Sequence, residues 1–141
     1  MSEQNKALVA RFTDELWNRK NWAITDELLR EDVVLHLLGK TFNGREEWRR
    51  EMGAFRDGFP DMVFTRNFLV AEGDKVVVHF TATGTQTGEF QGIRPTGREV
   101  TMSGVGIFRI SGGKIVEMWS HPDAASLIRQ LGAVPSLVAA D

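Results

Sequence analysis

Residues 100–119 read VTMSGVGIFRISGGKIVEMW and give the strongest indication of how this chain folds. Two runs of β-branched and apolar residues, 100–110 and 114–119, flank the Ser-Gly-Gly of residues 111–113, a pattern typical of a hairpin. Residues 75–83, KVVVHFTAT, form a third such run. The second half of the chain is therefore predicted to form long antiparallel strands joined in chain order.

The first half of the chain has helical periodicity instead. Apolar residues recur three or four positions apart in two segments, and the second segment is expected to begin as a helix at Asn43, with Glu46 completing a capping box. The apolar positions are Val9, Phe12, Leu16, Trp48, Met52, Phe55 and Phe59. A short helix at 22–29, a strand at 33–37 and a last helix that stops at Gly132 complete the prediction.

Helices followed by a strand meander predict an α+β fold over a single domain, residues 1–141. We expect a cone-shaped, curved antiparallel sheet wrapped by the N-terminal helices and followed by a C-terminal helix, and such a cone encloses a pocket. The open face of a sheet rich in Val, Phe and Ile needs cover, so a homodimer is expected. The apolar tail at Pro135, Leu137 and Val138 is predicted to cover the pocket mouth or to join the dimer interface.

The composition excludes several classes of function. The chain has 17 basic and 19 acidic residues, a net charge of −2 and no basic stripe, which argues against nucleic-acid binding. The absence of cysteine excludes thiolate nucleophiles and iron–sulfur clusters, and the three histidines lack the spacing of metal ligands, so no metal is expected. A polar start and the lack of an apolar run of ~18 residues predict a cytoplasmic protein without signal peptide or membrane span.

Three segments of the chain together resemble a known family. They are LREDVVLH at 29–36, GTQTGEFQGIRPTG at 84–97, and FRISGGKIVEMW at 108–119, the last followed by Asp123 and by RQLG at 129–132. In order and spacing they resemble the SnoaL-like polyketide cyclase, or ester cyclase, family, which has the nuclear transport factor 2-like fold. The resemblance implies cofactor-independent acid–base chemistry on a bulky, apolar, polyketide- or terpenoid-like substrate. The implied reaction is an intramolecular cyclisation of the aldol type, or an isomerisation, in a deep pocket.

The resemblance assigns Asp123 as the acid–base aspartate, with His121 beside it to tune or relay the proton. Strand alternation would place both on one face with Trp119, and burial would raise the pKa of the carboxyl towards neutrality, as suits a general base. Asp123 at the start of the last helix is equally typical of an N-cap, so both roles stay open. The family often has histidine where this chain has Gln86, and no acid–base role is expected there.

Arg109, in the middle of a strand, is the third predicted catalytic residue. Such a guanidinium needs either a carboxylate, for which Glu117 across the hairpin is suitable, or an oxygen of the substrate. The predicted substrate contacts are Trp17, His36, Trp48, Phe55, His79, Gln86 and Trp119. For His36 and His79 the alternative is a structural place among apolar strand residues. The alternative for the whole chain is a non-catalytic small-molecule-binding or dimerisation module of the same fold.

Overall fold

The computed structural model describes residues 2–132. The helices are α1 (Ser2–Thr13), α2 (Ile24–Leu28), α3 (Arg45–Gly58) and α4 (Ala124–Gln130), and a π-helical turn, Asp14–Asn18, extends α1. The strands are β1 (Leu29–Leu37), β2 (Lys40–Asn43), β3 (Val63–Glu72), β4 (Lys75–Thr85), β5 (Glu99–Ser111) and β6 (Lys114–Pro122). The predicted α+β class, with N-terminal helices and a C-terminal helix, is confirmed. The prediction for Pro135, Leu137 and Val138 lies outside the described residues.

The strands form a six-stranded sheet in the order β2-β1-β6-β5-β4-β3. Strands β3 to β6 follow one another as the predicted antiparallel meander. One pair departs from the antiparallel arrangement, because β1 pairs with β6 in parallel, with Leu35 beside Met118, and the sheet is therefore mixed. A parallel pair requires a long crossover between its two strands. Here the crossover contains α3 and most of the other strands, so no local sequence pattern predicts the pairing of β1 with β6.

Alternate strand residues point towards the helices and build the core. Along β4, Val76 and Val78 are buried whereas Thr83 is exposed. From the helical side, Phe12 and Trp48 are at most 1 % exposed and meet edge to face with 5.7 Å between ring centres. Large rings of this kind contribute much of a core's apolar burial. The helices thus close one face of the sheet, the inner face, and no element of residues 2–132 closes the outer face.

The start of α3 differs from the predicted capping box. The helix begins at Arg45, and its N-cap is Gly44, with φ of 92° and no side-chain cap bond. Asn43 belongs instead to β2, and its backbone N–H donates to Glu47 Oε1 at 2.9 Å. Gly44 supplies the positive φ that the sharp passage from strand to helix requires. The capping box is therefore wrong, because a short edge strand occupies the position that would have been its cap.

The π-helical turn after α1 orients two residues towards the sheet. The backbone N–H of Arg19 donates to the Asp14 carbonyl at 3.1 Å, five residues back. The widened turn accommodates one extra residue, and both Leu16 and Trp17 become buried. Asn18 then fastens the turn to β3, because its side chain accepts from the N–H of Phe64 at 2.7 Å and donates to the carbonyl of Phe64 at 2.8 Å. Trp17 is therefore held against the start of β3.

Candidate functional site

A cavity lies between the inner face of the sheet and helices α1 and α3. Its aromatic walls are Phe12, Trp17, Trp48, Phe55, Phe64, Phe80 and Phe108. All the methionines within residues 2–132 also line it, namely Met52, Met62, Met102 and Met118. The cavity is thus almost wholly apolar, and its flexible thioethers suit a ligand of irregular shape.

The cavity is narrow. Only about 40 Å³ of the cavity can be occupied by the centre of a water molecule. The whole space between the lining side chains, including the open mouth, is about 570 Å³. Pockets for drug-sized ligands usually enclose about 300–1,000 Å³. A bulky ligand therefore requires lining side chains to change rotamer, which methionine does at low cost.

Only two hydroxyl groups interrupt the apolar lining, those of Thr13 and Ser120. The Thr13 hydroxyl donates to the Val9 carbonyl at 3.0 Å and accepts from Arg66 Nη1 at 3.3 Å, so it is already engaged. Ser120 is 5 % exposed, and its hydroxyl has no hydrogen-bond partner among residues 2–132. No carboxylate, imidazole or amine belongs to the lining. The described walls are therefore apolar and contain no titratable group.

Three predicted substrate contacts, Trp17, Trp48 and Phe55, line this cavity. Trp48 is fully buried, and its indole Nε1 has no hydrogen-bond partner within the described chain. The three come from the π-helical turn and from α3, where helical spacing directs them inwards. These positions support the part of the sequence prediction that rested on helix faces.

Asp123 caps the last helix. Its carboxylate Oδ1 accepts from the backbone N–H of Ser126 at 3.1 Å, and the residue is exposed. It follows the end of β6 and is not among the residues that line the cavity. The expected burial of Asp123 in a strand face is wrong, because the strand ends at Pro122 and the chain turns into α4 there. The geometry supports the capping role.

Strand alternation does bring Trp119 and His121 to one face, but it is the outer one. Met118, Ser120 and Pro122 of the same strand line the cavity, so the residues between them point away from it. His121 is exposed at the end of the strand. Trp119 and His121 were expected to face the pocket, but they lie on the face opposite the cavity. Strand alternation shows which residues share a face but does not determine which face is covered.

The outer face instead gathers several of the predicted residues around Glu117. Its Oε2 lies 2.7 Å from His36 Nε2, and its Oε1 accepts from Arg109 Nε at 3.1 Å. Trp119 stacks on His36 with 5.3 Å between ring centres. The hydrogen bond from His36 and then that from Arg109 hold the pKa of the Glu117 carboxyl below its usual range. The Arg109–Glu117 ion pair, the structural alternative, is therefore present, and no member of this cluster lines the cavity.

His79 also lies on the outer face, away from the cavity. Its ring stacks on Phe68 with 5.0 Å between centres. Its Nδ1 lies 3.0 Å from the amide nitrogen of Asn67, a residue at a register shift between β3 and β4. The predicted substrate contact at His79 is therefore not part of the described cavity.

Gln86 is a fully buried structural residue. Its Oε1 accepts from the hydroxyl of Thr96 at 2.8 Å and from the Thr96 N–H at 3.1 Å, while its Nε2 donates to the Ile93 carbonyl at 3.0 Å. These bonds fix the loop between β4 and β5. Gln86 is not among the residues that line the cavity, and its role as a substrate contact stays a prediction.

Sequence reasoning missed the sheet side of the cavity. Phe64, Phe80 and Phe108 occupy alternate inward positions on β3, β4 and β5. Large apolar side chains on alternate strand positions indicate a buried face of the sheet. The sequence alone does not show which of the two faces the helices cover. Ser120 was not predicted, because a single serine in a strand carries no pattern of its own beside the titratable residues His121 and Asp123.

Comparison with known proteins gives a consistent picture of the fold and family type. A family model described as SnoaL-like polyketide cyclase matches residues 7–131. A protein from Jannaschia sp. CCS1, provisionally assigned as a SnoaL-like polyketide cyclase, is 26% identical with a TM-score of 0.88, covering 96% of both chains. IdmH from Streptomyces antibioticus, provisionally assigned as a polyketide cyclase, is 31% identical with a TM-score of 0.80, over 92% of this chain and 99% of its own.

A third similar structure carries a different functional assignment. AclR from Streptomyces galilaeus, provisionally assigned as a hydroxylase, is 27% identical with a TM-score of 0.86, over 96% of this chain and 89% of its own. No match was found among curated proteins.

Within residues 2–132, no helix is long and apolar enough to cross a membrane.

Proposed function

The chain belongs to the SnoaL-like polyketide cyclase family, and on this premise we propose a cyclase- or isomerase-type enzyme that acts on a bulky apolar small molecule. The observation that carries the proposal is the aromatic and thioether cavity between the sheet and helices α1 and α3. The substrate class we infer is polyketide- or terpenoid-like, since such molecules present a large carbon framework to apolar walls.

The contribution of the protein to this reaction is the folding of a flexible chain. Intramolecular ring closure requires two carbons of the same molecule to approach within bonding reach, and correct positioning can supply about 7–11 kcal/mol of the barrier. Trp17, Trp48 and Phe55 provide rigid walls on the helical side. The opposing methionines adjust to the substrate as it enters.

Proton transfer follows from the same lining. In an aldol closure the attacking carbon loses a proton and the carbonyl oxygen gains one. Because no carboxylate, imidazole or amine lines the cavity, we infer that the proton passes through water or through the substrate's own enol. Asp123, His121 and Arg109 do not enter this proposal, since their side chains lie outside the lining.

A product assay tests the proposal directly. The chain is incubated with linear polyketide-type esters that carry a 1,3-dicarbonyl unit, and the mixture is followed by liquid chromatography and mass spectrometry. We expect a new species of unchanged mass, or of a mass lower by one water, formed faster than in buffer. An Ala82→Leu variant, which narrows the cavity, should slow this reaction, whereas Ser103→Leu on the outer face should not. Equal rates with and without protein would contradict an enzymatic role.

The second candidate is a carrier that binds the same molecules without transforming them. The observation that favours it is the lack of a titratable side chain in the cavity lining. Quenching of tryptophan fluorescence by these esters would report binding, because Trp17 and Trp48 line the cavity. Binding with return of unchanged ester identifies the carrier, and binding with product identifies the enzyme.

We also propose that a second copy of the chain covers the outer face. One cross-strand row on this face is formed by Val70, Val77, Ile107, Trp119 and His36. The next row is formed by Glu72, Lys75, Arg109 and Glu117. Because the charged row holds two acids and two bases, an identical face in the reverse orientation is not repelled. A largely apolar row beside a balanced charged row is suited to a homodimer.

A further inference from the structure

Ser120 is the exception among the buried hydroxyl and amide side chains. Within residues 2–132 the others are Thr13, Thr25 and Gln86. The Thr13 and Thr25 hydroxyls donate to backbone carbonyls in their own helical segments, and Gln86 makes three bonds within its loop. The Ser120 hydroxyl, with one donor and two acceptor sites, has no such partner. Buried polar groups are normally satisfied, so an unsatisfied one calls for a physical reason.

The Ser120 hydroxyl faces the cavity and can be reached from it. On β6 the lining residues alternate as Met118, Ser120 and Pro122, which fixes the inward direction of the side chain. The fully covered side-chain atoms without partners are the indole nitrogens of Trp22 and Trp48, and the Ser120 hydroxyl is not one of them. The space of the cavity therefore extends to this oxygen.

The neighbouring strand gives the hydroxyl apolar surroundings. Gly106 pairs with Ser120 across β5 and β6 and also lines the cavity. A methyl group at Gly106 would come within 3.2 Å of the Phe108 ring and 3.9 Å of Met118 Cε. The glycine therefore lets these two side chains pack against the strand beside Ser120, and the hydroxyl is the polar group of this part of the wall.

We propose that the Ser120 hydroxyl donates a hydrogen bond to one carbonyl oxygen of the substrate and so fixes its orientation in the cavity. This inference rests on the proposed function, in which the cavity binds an apolar ligand, and it adds that the ligand carries a carbonyl oxygen. The ligand class is an apolar molecule with a ketone or ester oxygen that reaches the β6 wall. Apart from the indole N–H groups of Trp17 and Trp48, the remainder of the lining is apolar or already bonded, so this contact selects one of several ways in which the ligand can lie.

The test compares two ligands of almost equal shape, 1-indanone and indane, which differ in one carbonyl oxygen. Affinities are measured by tryptophan fluorescence or calorimetry for wild type and Ser120→Ala. A neutral hydrogen bond contributes about 0.5–1.5 kcal/mol, so we expect Ser120→Ala to weaken indanone binding by roughly 3–10-fold and to leave indane unchanged or slightly stronger. Ser120→Thr, which keeps the hydroxyl, should restore part of the preference for the ketone.

Ser103→Ala is the matched control, because it removes an exposed hydroxyl from the outer face of β5. It should leave both affinities as in wild type, and thermal unfolding should show all variants folded. An equal effect of Ser120→Ala on both ligands, or no effect on either, would overturn the role of Ser120 while the apolar cavity stands. Failure of both ligands to bind the wild type would overturn the proposed ligand cavity itself, together with this inference.

Discussion

The side chains of His36 and Glu117 meet at 2.7 Å, between Nε2 and Oε2, although 81 residues separate them in the chain. The contact crosses the parallel pair of β1 and β6, and Arg109 donates to the other oxygen of the same carboxylate at 3.1 Å. The three side chains lie on the outer face, opposite the cavity. The predicted residues His36, Arg109 and Trp119 therefore lie together on the outer face of the sheet. The cavity is lined by other residues.

The Glu117 contact predicts a specific loss of stability in acid. The bonds from His36 and Arg109 lower the pKa of folded Glu117 below the ordinary value of 4.5. The unfolded chain then binds this proton more readily, so the stabilisation is complete above a pH of about 4.5 and is lost as pH falls through the folded pKa. Urea unfolding at decreasing pH should show a shallower decline for Glu117→Gln than for wild type.

The Glu117→Gln variant should also be less stable than wild type at neutral pH, because its neutral amide pairs poorly with Arg109. Glu99→Gln is the control, since Glu99 is exposed and forms no ion pair within residues 2–132. Its decline with pH should follow that of wild type. Parallel declines for wild type and Glu117→Gln would contradict the assignment.

Substitutions at Asp123 separate capping from proton transfer. Asparagine caps a helix about as well as aspartate but has no carboxylate, whereas alanine does neither. We expect Asp123→Asn to keep both stability and product formation, and Asp123→Ala to lose about 1 kcal/mol of unfolding free energy. Urea unfolding and the product assay provide the two measurements. A large loss of activity in Asp123→Asn with unchanged stability would instead restore the acid–base role.

Gly88 is expected to be the least replaceable glycine of the β4–β5 loop. A methyl group there would collide with the Asp57 carbonyl oxygen, and the loop is held at this point by bonds from the backbone N–H groups of Thr87 and Gly88 to the Gly58 carbonyl. Gly88→Ala should lower the unfolding free energy by at least about 3 kcal/mol, because backbone rather than a movable side chain must shift.

The glycine control is Gly53→Ala within α3. The added methyl group meets only the flexible guanidinium of Arg56, at 3.2 Å. Alanine is the better helix former by about 1 kcal/mol, so this variant should match or exceed wild type in urea unfolding. A similar loss in both variants would refute the steric argument at Gly88.

The proposed homodimer predicts that a charge in the apolar row separates the copies. Ile107 lies at its centre, between Val77 and Trp119. Ile107→Glu should convert a dimer into monomers in size-exclusion chromatography with light scattering at micromolar concentration, because the buried charge would have no partner. Leu38→Glu, at an exposed turn between β1 and β2, should leave the dimer intact. A wild type that elutes as a monomer would sink the proposal.

The sequence defines the strands and helices of this chain better than it defines their faces. The meander from β3 to β6 was predictable, since β-branched runs and glycine turns are local signals. Trp48 and Phe55 point inwards as expected from helical spacing, which has one apolar side, and their role as substrate contacts stays a prediction. On β6 the local pattern is misleading, since a register shift near Ile115 changes the phase and a large ring, Trp119, points outwards while Ser120 points in. Only the packed helices distinguish the two faces.

The parallel contact between β1 and β6 also sets the order in which the molecule can be completed. During synthesis β1 leaves the ribosome early, whereas β6 begins only at Lys114. One edge of β1 therefore stays unpaired until most of the chain has been made. Contacts of such long separation slow folding and leave unpaired strand edges exposed in the meantime. We expect nascent chains that end before β6 to bind hydrophobic dyes and to be cleaved readily by proteases, whereas released full-length chains resist both. The cavity, whose wall includes Met118, Ser120 and Pro122 of β6, is therefore completed only after this last strand has paired.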